Sequence, residues 1–348
     1  MNRSDIDLVR DKPLKDVLAF TEDEILIGLK RGTVQLYPHD KEWEEAAKQT
    51  ISDLKRIFGD AANDIQHVGS TSIIHIKAKP IIDIAVSVDS LDKVLELVPA
   101  LEREGFHYRP DSMPDSQMLF ACGSAYEEEG KCEAFLEMPS DDMSAEPSGE
   151  AGDTLIVGGD IQTHFIHVVP KSSMEWIDYI NFRDYMNTFP EKAKDYEALK
   201  VELAEKYPDK RSAYIDGKAE FIQYALRKAL VWSYLGKSIT VTIDRPIGTE
   251  HPKHAGLIYP INYGYIEGVV GGDGEELDVY VLGIKEPVKT CSVKVIGIAH
   301  RKNDVEDKLI AAPEGLQVSL EAMAEAVHFQ EQYYQTEIEA YCHYDAEI

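Results

Sequence analysis

Basic residues are in short supply. Lysine and arginine total 36 of 348 residues against 63 aspartates and glutamates, a formal charge of −27. That balance disfavours non-specific association with DNA, RNA or an anionic membrane. It favours solubility and is compatible with binding metal cations, although a solvated acidic surface accounts for the charge equally well. Cysteine is scarcer still, at Cys122, Cys132, Cys291 and Cys342. No two form a C-x-x-C pair and no histidine stands at zinc-finger spacing. No apolar run approaches the ~20 residues of a membrane helix. Met1 to Gly32 carries charges every few residues and no apolar signal core. The expected compartment is therefore the cytoplasm, with reduced and buried thiols. No internal repeat is visible. What remains is an ordinary soluble composition, 44% apolar and 28% charged, and a length that suits two domains or one large one.

Residues 1–32 read as an extension, with one short strand hinted at by alternating Ile25, Ile27 and Leu29. Val34, Leu36 and Tyr37 suggest a strand that ends at Pro38. Asp40 can cap a helix in which Trp43, Ala46, Ala47, Ile51, Leu54 and Phe58 recur at helical spacing and Gly59 stops it. Strands are expected at 64–68, 80–88, 117–121, 131–138 and 162–169. Ser90 is expected to cap a helix to about Arg103, although Pro99 interrupts it. The stretch 139–153 reads as a loop. Ser172 and Glu175 have capping-box spacing before helices near 174–187, 190–206 and 212–232. The character changes at about 233–237. Beyond it, strands at 238–244, 277–283 and 291–299, glycine and proline punctuation and one helix from Ser319 suggest a small barrel.

In the first half, His67-Val-Gly-Ser-Thr-Ser72 precedes the strand core Ile82-Asp83-Ile84. A Gly-Ser turn offers backbone N–H groups to phosphate, and a neighbouring carboxylate can hold Mg²⁺ against it. A nucleotidyl-transfer centre usually needs a second carboxylate two residues on, and Ala85 stands there. His164 and His167, three apart on a strand, must point to opposite faces. Residues 33–230 resemble the GrpB family, a domain found fused to dephospho-CoA kinase and placed among nucleotidyltransferases. The matching stretches are Val34-Gln-Leu-Tyr-Pro38 with Trp43, His67-Val-Gly-Ser-Thr-Ser72, Ala78-Lys-Pro-Ile-Ile-Asp-Ile84, Thr163-His-Phe-Ile-His-Val-Val169, Phe182-Arg-Asp-Tyr185, Tyr196-Glu-Ala-Leu-Lys200 and Tyr214-Ile-Asp-Gly-Lys218. Phe165 and Phe120-Ala-Cys122 depart from the family's pattern. The resemblance implies a mixed sheet with flanking helices and a candidate pocket, not a reaction. Asp83 and Ser70 are the candidate catalytic residues, Asp83 also as a metal ligand. His67, Gly69, Lys79, His167, Arg183, Lys200 and Lys218 are candidates to bind the ligand.

In the second half, the turn Tyr259-Pro-Ile-Asn-Tyr-Gly-Tyr-Ile266 leads into Asp273-Gly-Glu-Glu-Leu-Asp278, an apolar strand and Asp304-Val-Glu-Asp-Lys-Leu-Ile310. Carboxylates converging from several loops suit Mg²⁺. Residues 236–340 resemble a shortened soluble inorganic pyrophosphatase. By that resemblance Asp273, Glu275, Asp278, Asp304 and Glu306 are metal ligands, Lys308 binds phosphate, and Tyr263 and Tyr333 face the substrate. Departures are concentrated among the cations. Thr240 and Thr242 replace a lysine and a glutamate, Tyr334 replaces a lysine, and the expected arginine is displaced to Arg245, with His251 and Lys253 nearer the turn. Each lost charge-assisted bond to phosphate is worth roughly 1.5–3 kcal/mol.

The expected organisation is an extension over 1–32, a mixed-sheet α/β nucleotidyltransferase-like domain with a helical tail over 33–232, and a small pyrophosphatase-type β-barrel over 237–348. The expected function is Mg²⁺-dependent (or Mn²⁺-dependent) chemistry on a nucleotide or pyrophosphate-type small molecule, with a degenerate phosphohydrolase coupled to the first domain. A non-catalytic nucleotide or metal sensor is the competing reading. No nucleic-acid or membrane partner is expected. The tyrosine-rich C-terminal helix is either a cover for the barrel or a surface for self-association.

Overall fold

The computed structural model describes residues 27–123, 161–252, 254 and 256–341. The expected strand at 131–138, the loop at 139–153, and Cys132, Lys253 and Cys342 lie outside them. The strands are β1 (Leu29–Lys30), β2 (Ala62–Val68), β3 (Ile82–Val88), β4 (His107–Tyr108), β5 (Met118–Cys122), β6 (Ile161–Gln162), β7 (His164–Pro170), β8 (Ser238–Arg245), β9 (Asn262–Val270), β10 (Glu276–Val281), β11 (Thr290–Arg301), β12 (Lys308–Ala312) and β13 (Thr336–Ala340). The helices are α1 (Lys41–Phe58), α2 (Leu91–Leu95), α3 (Val98–Arg103), α4 (Met174–Thr188), α5 (Pro190–Lys206), α6 (Arg211–Ser233) and α7 (Leu320–Glu331). The chain divides into two compact units. One comprises 1–176 and 191–217, the other 177–190 and 218–348.

In the first unit β2-β3-β7-β5-β4 form a mixed sheet in that order, and β1 pairs antiparallel with β6. Strand β3 pairs antiparallel with β2 and parallel with β7. Alternation splits the residues between two faces. Ile82, Ile84, Val86, Val88, Ile166, Val168 and Phe120 share one core with Trp43, Ala47, Leu54 and Phe58 of α1. Asp83, Ala85 and Ser87, with their β7 neighbours Phe165, His167 and Val169, take the other face. Asp40 caps α1, its side chain accepting from the N–H of Glu42 at 2.9 Å.

Several local expectations need correction. The strand over Val34–Tyr37 reduces to one bridge, Tyr37 with Ala78. Val34 instead donates its N–H to the Pro208 carbonyl and packs on Leu203 and Tyr214. The helix from Ser90 breaks into α2 and α3, and Ser90 makes no side-chain cap. Pro99 lacks an N–H and its ring clashes with the carbonyl four residues back, so the helix restarts around it. At α4 the capping contact comes from Ser173, whose hydroxyl accepts from the N–H of Trp176 at 3.3 Å, one residue beyond the expected Ser172.

In the second unit β12-β10-β9-β8-β11 form a sheet that closes through β11–β12 pairing, with β13 added along β11. Closure gives a five-stranded barrel with no free edge among those strands. Ser319 caps α7, accepting from the N–H of Ala322 at 3.2 Å. Met323 and Val327 of α7 join Tyr259, Tyr263 and Tyr280 in one core, so this helix covers the barrel. No described helix is long and apolar enough to cross a membrane.

Candidate functional site

Asp83 sits at the start of β3, between Val68 on β2 and Phe165 on β7. Its side chain is 29% exposed, and Oδ1 lies 3.3 Å from Nε2 of His167. Burial pushes its pKa up. The His167 hydrogen bond and the charges of His167, Lys79 and Arg211 outweigh that and hold the carboxyl below its ordinary range. Next to it, Gly69 adopts φ 70° and ψ −169°, a region open essentially to glycine alone. A Cβ there would fall 2.8 Å from Cβ of Asp83 and 2.9 Å from its Cγ. The glycine thus lets the turn close directly onto the carboxylate. Ser70 follows, its Oγ 3.5 Å from the hydroxyl of Tyr196 on α5.

Of the expected first-half residues, Gly69, Ser70, Lys79, Asp83 and His167 gather around this centre. Two do not. His67 pairs with Ile84 and lies on the opposite sheet face, where Nε2 meets Oγ1 of Thr71 at 2.9 Å. Lys200 is buried, directs Nζ to the Lys77 carbonyl and stands over the Tyr196 ring, so it supports the neighbouring loop. Arg183 and Lys218 fall in the second unit. The two histidines of β7 separate as their spacing requires. His164 is buried against Thr50 and Thr163, and burial pushes its pKa down to about 4, so it is a neutral core group. Position 85, where a second carboxylate was sought, has His167 as its neighbour across the strands. Arg211, Tyr196 and Tyr214 also belong here. Arg211 stacks on Phe165 at 5.1 Å, and Lys79 lies 5.5 Å from the Tyr214 ring centre.

The barrel arranges its acids differently. Lys308, 3% exposed, donates to Asp278, to Glu306 at 2.6 Å and to the Tyr263 hydroxyl at 2.9 Å. Tyr263 donates to Asp278. Burial and the nearby Asp278 raise the phenol well above its usual range, so it remains a neutral donor. Glu306 is buried with Oε1 lacking any hydrogen bond among the described residues. Burial and the Asp278 and Asp273 charges, against the opposing Lys308, push its pKa up to about 7. Asp304 is committed to Arg301 at 3.0 Å and to the N–H of Val305. Arg301 in turn holds Glu331 at 2.6 Å and stacks on Tyr334 at 3.6 Å. Asp273 and Glu275 stand on an exposed turn, where Asp273 accepts from the N–H of Glu275. Tyr333 is 69% exposed and stays outside the cluster.

A pyrophosphatase-type domain suggests dependence on a divalent metal. The side chains as placed do not fit one. No three His, Cys, Asp or Glu side chains among the described residues stand close enough to hold a metal ion. The ammonium of Lys308 takes the position between Asp278 and Glu306 that a cation would need. The described thiols do not help, since burial raises the pKa of both Cys122 and Cys291.

The fold defines a mixed α/β domain followed in sequence by a closed five-stranded barrel. Residues 33–228 match the GrpB protein family and residues 236–345 the inorganic pyrophosphatase family. The chain belongs to the GrpB family and carries a C-terminal pyrophosphatase-like domain. It is 32% identical over 204 residues to glutamate-rich protein GrpB of Alkalihalophilus pseudofirmus, covering 58% of this chain and 99% of that one. It is 27% identical over 213 residues to a dephospho-CoA kinase of Mycolicibacterium paratuberculosis, covering 59% of this chain and 48% of that protein, so it spans about half of the kinase. The crystal structure of GrpB from Enterococcus faecalis matches with TM-score 0.45 and 24% identity, over 57% of this chain and 99% of that one.

Proposed function

We propose that the GrpB unit binds a phosphate-bearing, nucleotide-type ligand at Asp83 and acts on its phosphates, while the barrel is a weak or inactive phosphohydrolase. The observation that carries this is an ionised, part-buried Asp83 pressed against a glycine turn and ringed by His167, Lys79 and Arg211. A relative named as a dephospho-CoA kinase and the match to inorganic pyrophosphatases both support a phosphate- or nucleotide-type ligand. Mg²⁺ is commonly bound by one or two carboxylates plus the substrate's own phosphates. Asp83 alone therefore suits an Mg²⁺–nucleotide complex that arrives as substrate, with Mn²⁺ as a substitute. Ala85 leaves the two-carboxylate route without its second ligand on this strand. His167 hydrogen-bonds Asp83 and so orients its carboxylate toward the ligand on this reading. The net charge of −27 argues against nucleic acid or anionic membrane as the ligand.

A sensing role is favoured for the barrel by one observation. Asp278 and Glu306 are bridged by Lys308 and Asp304 pairs with Arg301, so built-in cations already engage three of the expected ligands. Calorimetric titration of ATP and CTP in Mg²⁺, with wild type and Asp83→Asn, tests the first unit. Pyrophosphate turnover tests the barrel. Wild type is expected to bind a nucleotide, and Asp83→Asn at least about tenfold more weakly, the usual cost of a charge-assisted contact. Folded wild-type protein that binds neither nucleotide nor pyrophosphate overturns the reading. Turnover of pyrophosphate at the typical enzyme rate of about 10 s⁻¹ overturns the part concerning the barrel.

A further inference from the structure

We propose that Arg211 forms an anion subsite next to Asp83 that takes a phosphate group directly, without a metal ion. This deepens the reading of the Asp83 centre and rests on it. Arg211 opens α6 inside the first unit. Its guanidinium lies over Phe165, the residue paired with Asp83 across β3 and β7. One N–H goes to Oε1 of Gln162. The rest of the fork has no hydrogen-bond partner among the described residues, although Arg211 is largely shielded from solvent. Its charge acts on Asp83, with no hydrogen bond joining the two.

The charge count around this point is also one-sided. Lys79 and Arg211 both act on Asp83, and Arg31 lies near enough to act on Arg211 with the same sign. In a chain with 27 more negative than positive charges, two cations, Lys79 and Arg211, act on this one carboxylate. Bringing like charges together in a part-buried place is unfavourable unless an anion joins them. A guanidinium fork with its aromatic face packed and its edge uncommitted matches the planar, bidentate geometry of phosphate oxygens. The ligand class is therefore a phosphate ester or nucleoside phosphate whose one phosphate meets Arg211 while the rest lies toward the Gly69–Ser70 turn.

The test is equilibrium binding of inorganic phosphate, pyrophosphate and ATP to the full chain in EDTA. Wild type, Arg211→Met, Arg211→Lys and Asp83→Asn are compared, with a thermal melt of each. Wild type is expected to bind in EDTA and Arg211→Met at least about tenfold more weakly. Arg211→Lys should fall between them, since an ammonium keeps the charge and loses the fork. Asp83→Asn should bind the same anions more tightly in EDTA, because it removes a negative charge from the subsite. In Mg²⁺ it should bind nucleotide more weakly. Should Arg211→Met not fold, the Arg211→Lys affinity decides alone. Wild type that binds nucleotide in Mg²⁺ but not in EDTA, or variants that bind as wild type does, overturns the subsite and leaves the Asp83 reading standing. No binding under either condition overturns both.

Discussion

Replacing Gly69 with alanine adds one methyl group at the point where the first unit is tightest around its candidate centre. Two costs follow. The backbone at φ 70° and ψ −169° is nearly closed to residues with a Cβ, a strain of about 1–3 kcal/mol. The new Cβ would also fall 2.8 Å from Cβ of Asp83, closer than real Cβ atoms come to heavy atoms. Asp83 has no easy retreat, because its backbone is in register with Val68 on one side and Phe165 on the other. Overpacking of that kind costs about 1–3 kcal/mol. Together they predict a loss of about 2–6 kcal/mol. For a domain of this size each kcal/mol lowers Tm by about 2–4 °C, so the unit should melt at least about 4 °C lower. Gly105→Ala is the control. Gly105 also has positive φ, at 90°, but nothing lies within 4 Å of its added Cβ, so it carries strain without collision. Adding Asp83→Ala to Gly69→Ala removes Cγ and both carboxylate oxygens from the collision. Calorimetry should then show a combined loss smaller than the sum of the two single losses. A Gly69→Ala protein that melts with wild type, or no further than Gly105→Ala does, would refute the reasoning.

In the barrel, Lys308→Met strands Asp278 and Glu306 without their cation. Breaking such a buried pair costs about 3–5 kcal/mol, and added Mg²⁺ should restore part of the lost Tm while leaving wild type unchanged. A wild-type barrel stabilised by Mg²⁺ to the same extent would contradict the built-in role of Lys308. Arg301→Met should likewise lower the barrel's Tm by the equivalent of about 3–5 kcal/mol, since it leaves Glu331 buried with only hydroxyl partners, Tyr280 and Thr336. His300 sits between Asp307 at 2.7 Å and Glu339 at 2.9 Å, with Lys228 also on Asp307. Burial lowers its pKa, but the two carboxylate hydrogen bonds prevail and raise it to about 9. A folded pKa above the unfolded value of about 6.5 means stability fully present below pH ~6.5 and lost as pH rises through ~9. The loss is of order 3 kcal/mol, and a pH series of melts should show it in wild type and not in His300→Gln.

Much of this was legible because it depends on neighbours in sequence. The Asp40 and Ser319 caps follow from residue type and position, and so does the separation of His164 from His167 by strand alternation. The interruption near Pro99 also follows from local chemistry, although its outcome, two short helices, depends on which carbonyl the ring meets. β8, β10 and β11 were visible as β-branched runs, whereas β9 begins within the stretch read as a turn, and the pairing of β11 with β12 that closes the ring was not visible. Partnerships set by topology were hidden. His67 looked like part of the Gly-Ser turn, and one residue of register puts it on the far face. Arg211 carries no motif of its own and reaches the centre from the start of α6, and Tyr196, though part of a matching stretch, meets Ser70 only through the fold. Arg301 was invisible for the same reason: its acidic partners come from the adjacent loop and from the end of α7.

The two centres use scarce cations in opposite ways, and that contrast argues for distinct roles. With 36 basic residues against 63 acidic ones, each buried cation counts. The barrel commits Lys308 to Asp278 and Glu306, Arg301 to Asp304 and Glu331, and Lys228 to Asp307. These three cations face five carboxylates, so an incoming phosphate must displace a carboxylate from a lysine or arginine before it is held. On the proposed reading, such a site would hold anions weakly and suit sensing better than turnover. Around Asp83 one carboxylate faces Lys79, Arg211 and His167, and the Arg211 fork keeps open donors. There an incoming phosphate completes the charge balance instead of disrupting it. If nucleotidyl transfer in the first unit releases pyrophosphate, the barrel as built is poorly equipped to destroy it quickly. It is better equipped to register its presence, and the turnover assay on pyrophosphate separates these two fates.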